Sequence, residues 1–259
     1  MTIRIDVPID GVAVVTLDDE ANRNALTAET LAGLQHTLLD LASDSGVRVV
    51  VLTGHGRVFS AGGDTRRMGG ARPSPLEKKD YLEGGVGRLA EILHTYDKPL
   101  ICAVNGPAVG AGMDLALWCD FRIGVASSYL RGGYIDLGLP PGFGAAWLLR
   151  QLVGPTLALD ILLTGRKVTA DEALATGLYS QVVPEQSDLL PAVLERAAIL
   201  SAKPAAALRL TKRLVRQARY VAPSESLDAA SSHFGLLQET AEHAAAVAAL
   251  GQRSRPTPK

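Results

Sequence analysis

The chain has 259 residues, and its 26 Lys+Arg against 27 Asp+Glu leave a formal charge of −1. At 47% hydrophobic and 20% charged it is composed as a globular protein with a sizeable core, and it lacks the basic balance by which a nucleic-acid binder is recognised. Its two cysteines, Cys102 and Cys119, are too few for a disulfide framework and too far apart for a CxxC motif, so they read as buried thiols.

Residues 1–20 alternate apolar and polar side chains without the charged start, apolar run and cleavage site of a signal peptide, which predicts a cytoplasmic location. Ile3 to Val7 and Val12 to Leu17 read as strands joined by an Asp10-Gly11 hairpin turn. Thr27, with Thr30, then caps a helix in which Leu31, Leu34, Leu38, Leu39 and Leu41 recur at helical spacing. From Arg48 the period changes. The run to Thr53, closed by Gly54, has the form of a buried parallel strand, and Leu100 to Val104 and Phe121 to Val125 repeat that form. Strand, helix, strand order predicts crossover units and a mostly parallel sheet, hence an α/β fold.

Arg66 to Glu83, with Gly69, Gly70, Pro73, Pro75 and the charged run Glu77 to Asp80, has the composition of a mobile lid or of an ordinary solvated loop. No segment reaches the about 18 consecutive apolar residues of a membrane span; the most apolar region, Pro99 to Leu117, is interrupted by Asn105, Pro107, Asp114 and glycines, so no membrane partner is expected. From Pro140 the chain reads as helical with breaks at Gly165, Gly177 and Pro184. Ser201 to Leu250 reads as an alanine-rich pair of helices broken at Pro223-Ser224.

The chain holds no GxSxG elbow, HExxH pair or GxxxxGK loop. Gly110-Ala-Gly-Met-Asp-Leu115 opens like a dinucleotide fingerprint, but Leu115 stands where Gly or Ala is needed. His36, His55, His94, His233 and His243 are scattered without metal-ligand spacing. What remains are two glycine-rich segments, each just after a predicted strand: Arg57 to Arg66 and Val104 to Leu117. Glycines there let the backbone approach a ligand closely, and a helix starting directly afterwards presents free N–H groups and its positive dipole end. Together the segments read as a two-pronged anion hole; taken singly, each also reads as a plain turn or a close helix contact.

In chain order, Asn22-Arg-Asn-Ala-Leu26, VVVLTG, RVFSAGGD, KPLICAVNGPAVGAGMDLALWCDFRI, GLPPG, LTGRKVTADEALATGL and a terminal QRSRP resemble the crotonase, or enoyl-CoA hydratase/isomerase, family over essentially the whole chain. The resemblance implies a crotonase spiral of ββα units with the acyl-CoA site over residues 1–200. It further implies a helical trimerisation region over 201–259 and a homotrimer or dimer of trimers. The implied partner is an acyl-CoA thioester, with coenzyme A part of the substrate and no separate cofactor. Its enolate would be held by two backbone N–H groups, by match those of Gly63 and Ala111. A thioester oxygen gains negative charge as its α-carbon loses a proton, and preorganised donors at a helix N-terminus meet that charge. CoA contacts fall by match on Arg23, Ala25, Ala61, Gly63, Asp64 and Thr65, the arginine being suited to a phosphate. Phe234 and Arg253 match positions that reach a neighbouring subunit's CoA site.

One departure from the family pattern bears on mechanism. The two glutamates of a typical hydratase fall here on Asp114 and Tyr134, and the PxG-turn carboxylate of family isomerases falls on Gly142. Asp136 faces the same side as Tyr134 if that segment is extended, and is then a candidate replacement acid; otherwise it caps or salt-bridges nearby structure. Two carboxylates suit hydration, one activating water and one supplying the α-proton, whereas a single Asp114 suits a one-base proton shuttle. Tyr134 reads as a hydrogen-bond donor or as an aromatic wall of the acyl pocket. Hydrolysis, decarboxylation and an acyl-CoA-binding homologue with impaired catalysis remain open at this point.

Overall fold

The computed structural model describes residues 2–64 and 74–253. In chain order the elements are β1 (Ile3–Ile9), β2 (Val12–Leu17), α1 (Ala28–Ser43), β3 (Val49–Gly54), α2 (Pro75–Leu82), α3 (Arg88–Thr95), β4 (Leu100–Val104), β5 (Ala108–Val109), α4 (Ala111–Trp118) and β6 (Phe121–Val125). There follow β7 (Tyr129–Arg131), α5 (Ala145–Thr164), β8 (Lys167–Thr169), α6 (Ala170–Ala175), β9 (Gln181–Val183), α7 (Gln186–Ser201), α8 (Ala205–Gln217), α9 (Pro223–Gln238) and α10 (Ala241–Arg253). The β1–β2 hairpin is antiparallel, and from β2 onward the main sheet is parallel, in the order β1-β2-β3-β4-β6-β9.

Strand pleating divides the apolar residues between two layers. Val12, Val14, Val49, Val51, Ile101 and Ile123 form one core with Leu189, Val193 and Ala197 of α7. Ala13, Val15, Val50, Leu52, Cys102 and Val104 belong to the other, with Leu31, Leu34 and Leu38 of α1. Burial on both faces is why these strands are continuous apolar runs rather than alternating ones. Each fully buried leucine of α1 contributes about 2 kcal/mol relative to an exposed one.

Several expectations need correction. Beyond Pro140 the chain is not purely helical: β8 and β9 interrupt it, and β5, β7 and β8 form a small second sheet of strands two or three residues long, too short to leave a period-two signature. Residues 201–250 form three helices rather than two, because α9 and α10 part at Glu239–Thr240, where no Gly or Pro signals the break and Thr240 Oγ1 accepts the His243 N–H at 3.2 Å. Of the Arg66 to Glu83 segment, residues up to 73 lie outside those described. From Ser74 the chain is helical, started by a Ser74–Glu77 capping box with Pro75 in the first turn and passing into a π turn over Glu83–Gly87. Among the described residues, α5 is the one helix long and apolar enough to cross a membrane. It is nevertheless broken at Gly154 and Pro155, and its Leu148, Leu149 and Ile161 lie in the core.

The α8 helix is fixed to the sheet by charge. Asp120 accepts from Arg216 at 3.0 Å and from Lys212 at 2.6 Å, and its Oδ2 also takes the Leu100 N–H at 2.8 Å. The Lys212 side chain is 9% exposed, and burial pulls its pKa down to about 8 although Asp120 favours the charged form. Asp120→Ala leaves two largely buried cations unpaired and is expected to cost about 3 kcal/mol in urea unfolding, with early proteolytic cleavage in α8. An unchanged midpoint would show that the clamp contributes nothing.

Candidate active site

Parallel pairing carries both glycine segments to one edge, since each follows the C-terminal end of a strand, the edge where open α/β sheets bind ligands. Asn105 stitches them, accepting the Gly54 N–H at 3.1 Å and donating to Gly56 O at 2.9 Å. Beyond it the segments pair: the N–H groups of Phe59 and Ser60 donate to Pro107 O, and that of Val109 donates to Ser60 O. Only glycine permits this approach. A Cβ at Gly112 would lie 2.5 Å from Ser60 O, and one at Gly62 would lie 2.3 Å from Val109 O and 3.1 Å from Ala111 N, at a left-handed φ of 85°. The Gly62–Gly63 turn is therefore pressed against the N-terminus of α4. Among the described residues neither the Gly63 nor the Ala111 N–H has an acceptor, and a Cβ at 63 would meet nothing within 4 Å.

The loop before α1 sets the first of these donors. Arg23 and Asn24 both adopt left-handed backbone, φ 54° and 53°, which other structure must hold in place. Asn24, buried, donates to His55 O and Val58 O at 2.9 and 2.7 Å, and its Oδ1 accepts the Asp19 N–H at 3.0 Å. Its own carbonyl accepts from Ser60 Oγ at 2.7 Å, Ser60 Oγ accepts the Gly62 N–H at 3.2 Å, and Arg23 O accepts the Ala61 N–H at 2.9 Å. The structure thus brings Arg23, Ala25 and Ala61 up to Gly63 and Asp64, with Arg23 exposed, Ala25 buried and Ala61 and Asp64 half-buried. Thr65 lies outside the described residues. Asn24 and Ser60 were not singled out from the sequence as positioning groups; the usable signal was that Asn tolerates a left-handed backbone better than most residues.

Asp114 lies in the first turn of α4, fully buried. Its Oδ2 accepts the Ala145 N–H at 3.1 Å, at the start of α5, and its Oδ1 is buried with no hydrogen-bond partner. Burial pushes its pKa up to about 7, against the Tyr134 hydroxyl and the N–H groups of Ala145 and Phe143, which favour the carboxylate. Tyr134 sits beside the N-terminus of α4, its Cζ 4.0 Å from where a Cβ at Gly110 would be. The Tyr134 phenol and the Asp114 carboxylate act on one another, although neither the phenol oxygen nor Asp114 Oδ1 closes a hydrogen bond of ordinary geometry. Burial, and then the Asp114 charge, push the pKa of the phenol far above its ordinary range, so Tyr134 keeps its proton.

Asp136 is not on that side. Ile135–Leu137 is a 3₁₀ turn, not an extended segment, so residues 134 and 136 project in different directions, and Asp136 is exposed and paired with Arg131 at 2.7 Å. No second carboxylate is among the described groups that act on Asp114. Phe234 lies on α9, 66% exposed, and of Arg253 only the helical backbone ending α10 is described; no described contact brings either to the Gly63–Ala111 edge.

The family model for enoyl-CoA hydratase/isomerase matches residues 9–255 of the chain. The 2,3-dehydroadipyl-CoA hydratase of Escherichia coli is 36% identical over 248 residues, covering 95% of this chain and 94% of that protein. The short-chain-enoyl-CoA hydratase of Clostridium acetobutylicum is 36% identical over 227 residues, 86% of this chain and 85% of the other. Among solved structures, an enoyl-CoA hydratase from Bacillus anthracis superposes with a TM-score of 0.92 at 28% identity, covering 100% of this chain and 99% of that one.

Proposed function

This chain belongs to the enoyl-CoA hydratase/isomerase family and is an acyl-CoA enzyme of crotonase fold; on that premise we propose that it moves a proton along an enoyl-CoA thioester with one base, Asp114. The observation that carries this reading is that, among the described residues, Asp114 is the one buried carboxylate and the N–H groups of Gly63 and Ala111 have no acceptor. In the proposed reaction the Asp114 carboxylate takes a proton from the α- or γ-carbon. The electron pair left behind delocalises onto the thioester oxygen, held by the N–H groups of Gly63 and Ala111. The Asp114 carboxylic acid then returns the proton to the other end of the dienolate, so the double bond moves and no water is added. A base with a pKa of about 7 is well matched to this, since half of it is ionised at neutral pH and its acid form remains a competent donor. Tyr134 stays protonated and donates a hydrogen bond within the pocket.

A second reading is hydration, favoured by the names of the relatives. Against it stands the outward Asp136, which leaves, among the described residues, no second carboxylate beside Asp114 to divide the work of activating water and protonating carbon. Measuring double-bond migration in a 3-enoyl-CoA against hydration of crotonyl-CoA tests the choice, and migration is expected to be the faster.

The CoA portion is proposed to lie along Arg23, Ala25, Ala61, Gly63, Asp64 and Thr65. Calorimetry is expected to show acetyl-CoA binding well above adenosine or NAD, and Arg23→Ala to weaken acetyl-CoA binding about tenfold while sparing the acyl end. An equal or stronger response to NAD would contradict this. We also propose that α8–α10 pack against other copies in a homotrimer or dimer of trimers, because Leu227, Phe234, Leu236 and Leu250 are all more than 60% exposed. Light scattering is expected to give a trimer or hexamer. A clean monomer at micromolar concentration would remove Phe234 and Arg253 as cross-subunit CoA contacts.

A further inference from the structure

Asp114 and Trp118 stand one helical turn apart on α4 and hold successive residues of the same piece of chain. The Trp118 indole N–H donates to Phe143 O at 2.8 Å. The next residue, Gly144, lies so close to the indole that a Cβ there would be 2.9 Å from its Cζ2, and its φ of 108° excludes most side chains in any case. The residue after that, Ala145, donates its N–H to Asp114 Oδ2 at 3.1 Å.

We propose that Trp118 is a positioning residue for Asp114: by clamping Phe143 and Gly144 it keeps the first N–H of α5 aimed at the carboxylate. The consequence for catalysis rests on the reading of Asp114 as the base. The indole is itself held on several sides. It stacks on Trp147 of α5 at 5.7 Å and 28°, and His94 meets both rings edge-on at 6.0 and 5.7 Å. Trp147 in turn stacks on Tyr220 from the α8–α9 connection, and Arg219 lies over it at 4.7 Å. Core filling alone would need only a large apolar ring, whereas here the N–H also makes a bond to the turn whose Ala145 N–H reaches the buried carboxylate.

Of the groups that favour the ionised form of Asp114, the Tyr134 hydroxyl contributes most and the Ala145 N–H, bonded to Oδ2 at 3.1 Å, comes next. Loosening it raises the pH at which Asp114 gives up its proton. The groups that face Asp114 are the Tyr134 phenol and the N–H groups of Phe143 and Ala145. Those that face Trp118 are His94 and, beside it, Arg216 and Arg219; burial first and then these two cations lower the His94 pKa.

The test compares Trp118→Phe with replacement of Trp118 by benzothienylalanine, which keeps the bicyclic shape and lacks the N–H. In both, the rising limb of kcat against pH is expected to move upward by about half a pH unit or more. KM for the acyl-CoA stays within about twofold, and kcat recovers towards the wild-type value above the limb. Infrared difference titration of the Asp114 carboxyl, identified by its loss in Asp114→Asn, is expected to shift by the same amount without recourse to turnover. His94→Gln leaves the limb in place. A limb and a carboxyl titration that stay put in both Trp118 proteins overturn the inference, as does a uniform loss of kcat across pH with an unmoved titration. If Asp114→Asn instead keeps the wild-type limb, the base assignment fails, and the infrared titration alone decides whether Trp118 positions the carboxyl.

Discussion

Asp114→Asn is expected to lower deuterium uptake from solvent into a bound acyl-CoA by about three orders of magnitude, the middle of the range for losing a general base. Affinity for the thioester should change little, because the CoA contacts proposed above lie in the loop before α1 and in the Ala61 to Thr65 turn. The same substitution has an opposite effect on stability. An acid that holds its proton to about pH 7 when folded but only to about pH 4 when unfolded contributes stability that is present below pH 4 and lost as the pH rises to 7. Above that window the buried charge costs the wild type on the order of 4 kcal/mol. The amide of the variant carries no such charge, so its Tm is expected to exceed that of wild type at pH 8 and the gap to close towards pH 4. A variant less stable at pH 8 than at pH 5, relative to wild type, would contradict the burial of an ionised Asp114. An inactive yet more stable protein would mark a site where stability is given up for chemistry.

Gly63→Pro is the second large effect. It deletes one N–H that no described acceptor uses, so the fold loses no bond there while the enolate loses a donor. Removing one oxyanion donor typically slows turnover about 10²- to 10³-fold, with a much smaller change in ground-state binding. Gly63→Ala supplies the control, because a Cβ there meets nothing within 4 Å among the described residues and the N–H remains, and it is expected to stay within about threefold of wild type. Equal losses in the two variants would mean that the turn matters for its shape and not for its donor. Gly62→Ala is different in kind: its Cβ would drive into Val109 O and separate the two segments, so binding and turnover fall together.

The parallel core was legible because strands buried on both faces leave long apolar runs, and Val49 to Gly54, Leu100 to Val104 and Phe121 to Val125 are such runs. The glycine segments were legible because close backbone approach admits no other residue at Gly62 or Gly112. Strands β5, β7 and β8 escaped notice since pairing with neighbours, not local pattern, makes a strand of two or three residues. Asp136 was left between two readings for a related reason: whether residues two apart share a side depends on a backbone conformation that the run from Tyr134 to Gly138 does not announce, and Gly138 in left-handed conformation closes a 3₁₀ turn there, which leaves the salt-bridge reading. The Trp118 clamp joins α4 to a turn 25 residues later, a relation set by tertiary packing and invisible to spacing.

One buried carboxylate, without a second acid beside it among the described residues, is proposed to direct this site to proton transfer. The direct measurement is incubation of wild-type protein with a 3-enoyl-CoA and, separately, with crotonyl-CoA in deuterated water, with mass detection of deuterium incorporation, double-bond migration and 3-hydroxyacyl-CoA. Migration and exchange that outpace hydration, and that vanish in Asp114→Asn while persisting in Asp136→Asn, are the result expected here. Hydration of crotonyl-CoA at an ordinary enzymatic rate, about 10 per second or faster, and its loss in Asp136→Asn, would contradict the one-base account and return Asp136 to the site as the missing acid.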